Sequence, residues 1–253
     1  MTDPRLPEPV EKSERGYRHV QERIVKMRRA GALLYGWITD ATRRGYFTGT
    51  FSDTGDFLRQ VKGLYRSDLW QYSDYYCEVW TESRSIAGVI EEDCKELAVS
   101  LYPCGGFTSI SLAFQAAEYI NSRRDQKPVV IFYIGDYDPA GVIIDVALER
   151  ELREHLRSNL EMDFERIAIT PEQIDAYGIP GKPRKESDRR AQHIRETVEA
   201  EALPAHILRR LVRLNVENLL PEGALAAARA AEASEMQTLD RLASRYGGES
   251  RGV

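Results

Sequence analysis

Close-spaced cysteines, histidine clusters and long apolar runs are all missing from this chain, and each absence narrows the possibilities. The three cysteines, Cys77, Cys94 and Cys104, form no close-spaced pair. A disulfide framework is therefore not expected, and a reducing cytoplasm is the natural compartment. The four histidines are scattered and supply no zinc pattern, so any metal should be a hard, oxygen-liganded one. No apolar stretch approaches membrane-spanning length, and the first residues are polar and proline-bearing rather than signal-like. No membrane partner is expected, and no internal repeat is present. An excess of positive charge is also lacking: the net charge is −5, which does not advertise nucleic-acid binding. A local basic groove remains compatible with global acidity. The basic residues do cluster, at Arg28-Arg29, at Arg43-Arg44 and at Lys182, Arg184, Lys185, Arg189 and Arg190. Glu186 and Asp188 partly neutralise the last group, and a solvated charged face is the plain alternative for it.

With 253 residues, 42% hydrophobic and 30% charged, the chain has material for one moderate α/β domain and smaller helical extensions. Residues 1–12 are rich in proline and glutamate and are expected to be disordered. A segment 13–73 opens with a helix in which Tyr17, Val20, Ile24 and Met27 share a stripe, ended by Gly31. A further helix is expected around 55–65. Residues 74–203 read as the core domain, with strands at 75–80, 99–104, 128–134 and 166–170. Helices are expected at 87–98, from Thr108 or Ser109 to about 121, and from Pro139 to about 157. The buried stripe of the last is expected to hold Ile143, Val146, Ala147, Leu148 and Leu152. Alternation of this kind predicts an α/β fold, a mainly parallel, Rossmann-like sheet covered on both faces. Residues 191–199 read as helical, amphipathic helices fill 204–246, where Glu232 interrupts an apolar stripe, and 247–253 form a loose tail.

One segment stands out. The apolar run Pro128–Ile134 ends abruptly in Gly-Asp136-Tyr-Asp138-Pro-Ala-Gly141. In an extended chain alternate residues share a side, which brings Asp136 and Asp138 together. Two carboxylates crowded at a strand end repel, and a divalent cation would relieve that cost. Carboxyl ends of strands are also where open α/β sheets bind ligands. Asp138 could instead cap the following helix. Glu82 leaves the first core strand in the same way. It could be a helix-start carboxylate favoured by the macrodipole; together with the aspartates it completes an acid triad suited to magnesium. Glu199 and Glu201, two apart, face one side of an extended stretch and read as a solvated pair. Gly105-Gly106-Phe107-Thr108-Ser109 could present amides to a phosphate or form an ordinary turn.

Glu82 after one strand and Asp136-x-Asp138-Pro-x-Gly141 after a later one resemble the Toprim domain of topoisomerases, primases and some nucleases. The similarity is greatest to the topoisomerase VI A subunit and the meiotic double-strand-break protein family. Arg28–Arg43 resembles the end of the winged-helix segment that precedes Toprim in bacterial relatives, and Lys182–Arg190 and Val198–Pro204 resemble segments that follow it. The resemblance implies a partial winged helix, a magnesium site at Glu82, Asp136 and Asp138, and DNA as partner. It also implies phosphate contacts from Lys182, Arg184, Lys185, Arg189 and Arg190, a homodimer, and action on the phosphodiester backbone.

In that family a tyrosine on the winged helix cuts DNA, upstream of the segment matched here. Tyr17 is expected in a core, and neither Tyr35 nor Tyr46 stands in a nucleophile motif. Cleavage by this chain is therefore expected to use metal-bound water, or a tyrosine from a missing segment or partner subunit. Two other readings stay open. One is a non-catalytic DNA-binding subunit with an architectural Toprim domain. The other is a phosphotransferase of the haloacid dehalogenase type, which Pro139-Ala140 fits poorly.

Overall fold

A computed structural model describes residues 14–34, 48–105, 110–183, 194 and 196–247. The chain divides into two compact units, Met1–Gly49 and Thr50–Val253. In the first, α1 (Glu14–Arg29) is followed by Gly31 in the left-handed region, with the Gly31 amide returning to the Arg28 carbonyl. The glycine stop is thus as the sequence indicates. Tyr17 departs from expectation: it is exposed rather than in a core. Tyr35, Arg43, Arg44 and Tyr46 lie outside the described residues.

The second unit is built on four strands, β1 (Tyr76–Thr81), β2 (Ser100–Pro103), β3 (Val129–Ile134) and β4 (Met162–Ala168), all parallel in the order β2-β1-β3-β4. Every residue of β1 and β3 is buried, as befits central strands covered on both faces. Helices α3 (Arg84–Glu96), α4 (Ile110–Ser122) and α5 (Gly141–His155) make the crossovers. One face of the sheet buries Cys77, Val79, Val130 and Phe132 with Ile86 and Ile90 of α3 and with Leu208 and Val212 of α7 (Ala205–Glu217). The other buries Trp80, Ile131 and Tyr133 with Ala113 and Ala116 of α4 and Ile144 and Leu148 of α5. The chain leaves β1 toward one face and β3 toward the other, so the carboxyl ends of these neighbours flank the topological switch point.

Several predicted details need correcting. Strand β4 begins at Met162, four residues before Arg166, and the sequence reading missed α6 (Pro171–Tyr177), which is closed by a Thr170/Gln173 capping box. The helix expected over 191–199 is not formed at its end: Glu196–Thr197 (β6) pairs antiparallel with Lys182–Pro183 (β5). On α5 the sheet selects Gly141, Ile144, Leu148 and Leu152, leaving Val146 exposed. Helix α2 (Thr54–Val61) packs on α8 (Ala224–Tyr246). The interrupting Glu232 of α8 is an anchor, accepting from the Ser67 amide at 3.1 Å and pairing with Arg66 at 3.3 Å. Asp93, fully buried on α3, is held by Arg209 at 2.6 Å and Arg213 at 2.5 Å, which fixes α7 over the sheet.

Glu78 lies fully buried in the middle of β1. Tyr76 and Trp80 each donate to its carboxylate at 2.8 Å. Burial pushes its carboxyl from 4.5 up to about 7, against the pull of Trp80, Tyr76 and Arg123. A raised carboxyl favours the folded state at low pH. That contribution, roughly 3 kcal/mol, is complete below about pH 4.5 and lost as pH rises through about 7. Glu78→Gln keeps the shape, since the Tyr76 hydroxyl can turn to accept from the amide. The variant should match wild type near pH 4.5 and exceed its stability at pH 8 by about 1–3 kcal/mol in urea melts. Equal stability at both pH values would dismiss the burial argument.

Candidate functional site

Glu82 is the first residue beyond β1 and still follows the ladder, its amide donating to the Ile134 carbonyl at 2.8 Å. Ser83 then caps α3, accepting from the Ser85 and Ile86 amides. On the neighbouring strand, β3 ends at Ile134, and Gly135 leads to Asp136. Glu82 Oε2 accepts from the Asp136 amide at 3.0 Å, so the Glu82 carboxylate reaches the Asp136 backbone across the β1–β3 crevice. Asp138 Oδ1 accepts from the Ala140 and Gly141 amides at 2.8 and 2.6 Å, and so closes the turn that leads into α5, whose N-cap position is Ala140. Gly141 is required here, because a Cβ would stand 2.2 Å from the Asp136 carbonyl oxygen. Between the aspartates, Tyr137 exchanges both backbone hydrogen bonds with Val198.

That bridge brings the segment after β6 to the acids. The Ala200 amide donates to Asp136 Oδ1 at 2.8 Å. The Glu201 carboxylate accepts from the hydroxyls of Ser83 and Ser85 at the start of α3. Burial raises the Glu201 carboxyl, but these two hydroxyls, together with its own backbone amide, hold the group below its usual value. Glu82 and Asp136 shift upward instead. Burial, followed by the charges of Asp136 and Asp138, pushes Glu82 up to about 7 against the pull of the Asp136 amide. Asp136 is raised by burial and by the charges of Glu201, Asp138 and Glu199, against the Ala200 amide. Carboxylates that disfavour each other's ionisation are a common mark of a functional site.

As they are placed, no group of three or more acid, histidine or cysteine side chains among the described residues could hold a metal ion. Glu82, Asp136 and Asp138 each use one oxygen on backbone amides, and the second oxygen of each accepts no hydrogen bond among the described residues. An all-carboxylate donor set suits a hard cation, and magnesium is commonly bound through only one or two carboxylates with waters and substrate phosphates completing its shell. The residues present fit that mode.

The sequence marks Arg166 only as the start of a strand. It sits on β4 in register with Tyr133 and reaches under the acid turn. Its guanidinium donates to the carbonyls of Gly135 at 2.9 Å, Asp136 at 3.2 Å and Gly141 at 2.9 Å, and pairs with Asp145 at 2.7 Å. Nothing in its local sequence marks this role; an arginine in a strand of alternating polarity is the only signal. Of the predicted phosphate-binding residues, Lys182 is placed and pairs with Glu199 at 3.3 Å, both exposed. Arg184, Lys185, Arg189 and Arg190 lie outside the described residues, as do Gly106–Ser109. No helix among the described residues is long and apolar enough to cross a membrane. Compared with protein-family models, with curated proteins and with solved structures, the chain matches none.

Proposed function

We propose that this chain is a magnesium-dependent, DNA-acting protein of the Toprim type, similar to the topoisomerase VI A subunit. The observation that carries the reading is the reach of the Glu82 carboxylate to the Asp136 backbone across adjacent parallel strands at the switch point, with Asp138 on the same turn. In this reading Glu82, Asp136 and Asp138 hold the cation. When bound, magnesium supplies Lewis-acid stabilisation of charge on the phosphodiester. Lys182, Arg184, Lys185, Arg189 and Arg190 contact backbone phosphates, which gives sequence-tolerant, salt-sensitive binding. The nucleophile is water or a tyrosine, and a homodimer or a partner subunit completes the grip on the duplex.

A second reading, a non-catalytic DNA-binding subunit, draws support from the amide bonds of the acids, since Asp138 closing its turn and Asp136 on Ala200 both serve architecture. Calorimetric titration of magnesium into the protein, with and without a short DNA duplex, separates the two. The catalytic reading expects magnesium binding that the duplex strengthens, and duplex binding that weakens steeply with salt. Duplex binding indifferent to magnesium selects the architectural reading. Binding of neither removes both.

A further inference from the structure

Tyr133 is fully buried near the end of β3, yet its hydroxyl has no hydrogen-bond partner among the described residues. Leaving a buried hydroxyl unsatisfied costs about 1–3 kcal/mol, so this group calls for an explanation. Its surroundings supply one. Tyr133 lies in register with Trp80 on β1 and Arg166 on β4, on the face covered by α4 and α5. Two residues on, Gly135 continues the same side of the chain. A Cβ at Gly135 would stand 2.5 Å from Cε1, 2.7 Å from the hydroxyl oxygen and 2.8 Å from Cζ of the Tyr133 ring. The ring therefore leans toward the carboxyl end of the strand, and its hydroxyl fills the space a side chain at 135 would take.

Across the crevice, the ladder pairs Ile134 with Thr81, so the next step sets Gly135 beside Glu82. The Glu82 amide bond to the Ile134 carbonyl continues that register. Glu82 holds the Asp136 amide through Oε2, and its Oε1 accepts no hydrogen bond among the described residues. An unused buried donor and an unused carboxylate oxygen thus flank the same Gly135–Asp136 peptide. An ionised carboxylate has about four acceptor positions, so a second hydrogen bond still leaves lone pairs for a cation.

We propose that Tyr133 is a positioning residue for Glu82: with a divalent cation bound, its hydroxyl, which has no partner in the metal-free fold, donates to the free carboxylate oxygen and fixes the orientation in which Glu82 meets the cation. The inference rests on the magnesium reading of this site and adds to it a residue that the acid motif does not contain. Burial, and then the charge of Glu82, hold the hydroxyl well above its ordinary range, so it is a neutral donor at any working pH. Partners that orient metal-binding side chains commonly contribute ten- to a hundredfold in affinity.

The test is calorimetric titration of magnesium into the full chain as wild type, Tyr133→Phe and Glu82→Gln, with thermal midpoints measured without metal. Tyr133→Phe should bind magnesium about tenfold more weakly. Its metal-free midpoint should be unchanged or higher, because it deletes a hydroxyl that the metal-free fold does not use. If wild type binds and Glu82→Gln does not, a Tyr133→Phe protein with unchanged affinity overturns the inference and leaves the site reading standing. A lowered metal-free midpoint that accounts for the weaker binding also overturns it, because the hydroxyl is then structural. If wild type binds no magnesium, the site reading fails and takes the inference with it.

Discussion

On the proposed magnesium reading, Asp136→Asn should lower magnesium-dependent nicking of supercoiled plasmid by about 100- to 1,000-fold, the scale of losing one group that stabilises transition-state charge. The substitution is chosen so that chemistry and folding separate. Asp136 Oδ1 accepts from the Ala200 amide, and the asparagine oxygen can accept the same bond, so the stitch between the acid turn and residues 198–202 survives. What disappears is the negative charge. Burial and the neighbouring Glu201, Asp138 and Glu199 already disfavour that charge in the folded protein. A carboxyl raised in this way stabilises the fold only while protonated, and that contribution is lost as pH rises through its folded value. At neutral pH the metal-free asparagine variant should therefore be at least as stable as wild type. Nicking assays over a magnesium series, paired with thermal melts in chelator, check both halves. Glu82→Gln should lower nicking on the same scale, and the double variant should lose little more, since in the proposed reading the two acids act on one cation. Undiminished nicking by purified Asp136→Asn would falsify the assignment of this acid.

Why the acids could be read at all is a matter of burial. Strand β3 is covered on both faces, so its sequence is an unbroken apolar run, and the point where that run gives way to Gly-Asp-x-Asp marks the end of the strand unambiguously. Strand β1 is equally buried, and Glu82 stands one residue beyond it. The elements misread are those with weaker burial. Before Ile167, strand β4 alternates exposed Asp163 and Glu165 with half-buried Phe164 and Arg166, so its continuous apolar signal starts only at Ile167. On α5, spacing admits two stripes, and only contact with β3 and α4 decides that Ile144 is buried rather than Val146. The β5–β6 pairing depends on contacts fourteen residues apart or so, which no local pattern announces. Arg166, Tyr133 and the serine pair on Glu201 were illegible for a related reason. Each earns its place through partners on other strands or helices, and a lone arginine, tyrosine or serine has no spacing that reveals them.

Arg166 is where that hidden layer should matter most for stability. Its side chain and that of Asp145 are each only 15% exposed, and the guanidinium also satisfies three carbonyls around the acid turn. Arg166→Ala leaves Asp145 without its cation and strips a donor from Gly135, Asp136 and Gly141 at once. Removing one partner of a buried ion pair costs about 3–5 kcal/mol, far more than the pair itself need contribute. Urea melts should show a loss on that scale. Arg166→Lys should recover part of it, because an ammonium can still face Asp145. Lysine lacks the planar fork that reaches several acceptors in fixed directions, so the carbonyl contacts are not restored together. The Lys variant is therefore expected to regain part of the stability and, on the proposed magnesium reading, none of the lost cation affinity, since the turn carrying Asp136 and Asp138 loses its brace while the ion pair survives. Full recovery of both by lysine would mean that charge alone, and not the three carbonyl bonds, organises the turn. A loss below about 1 kcal/mol in Arg166→Ala would mean that the pair with Asp145 is as weak as an exposed one.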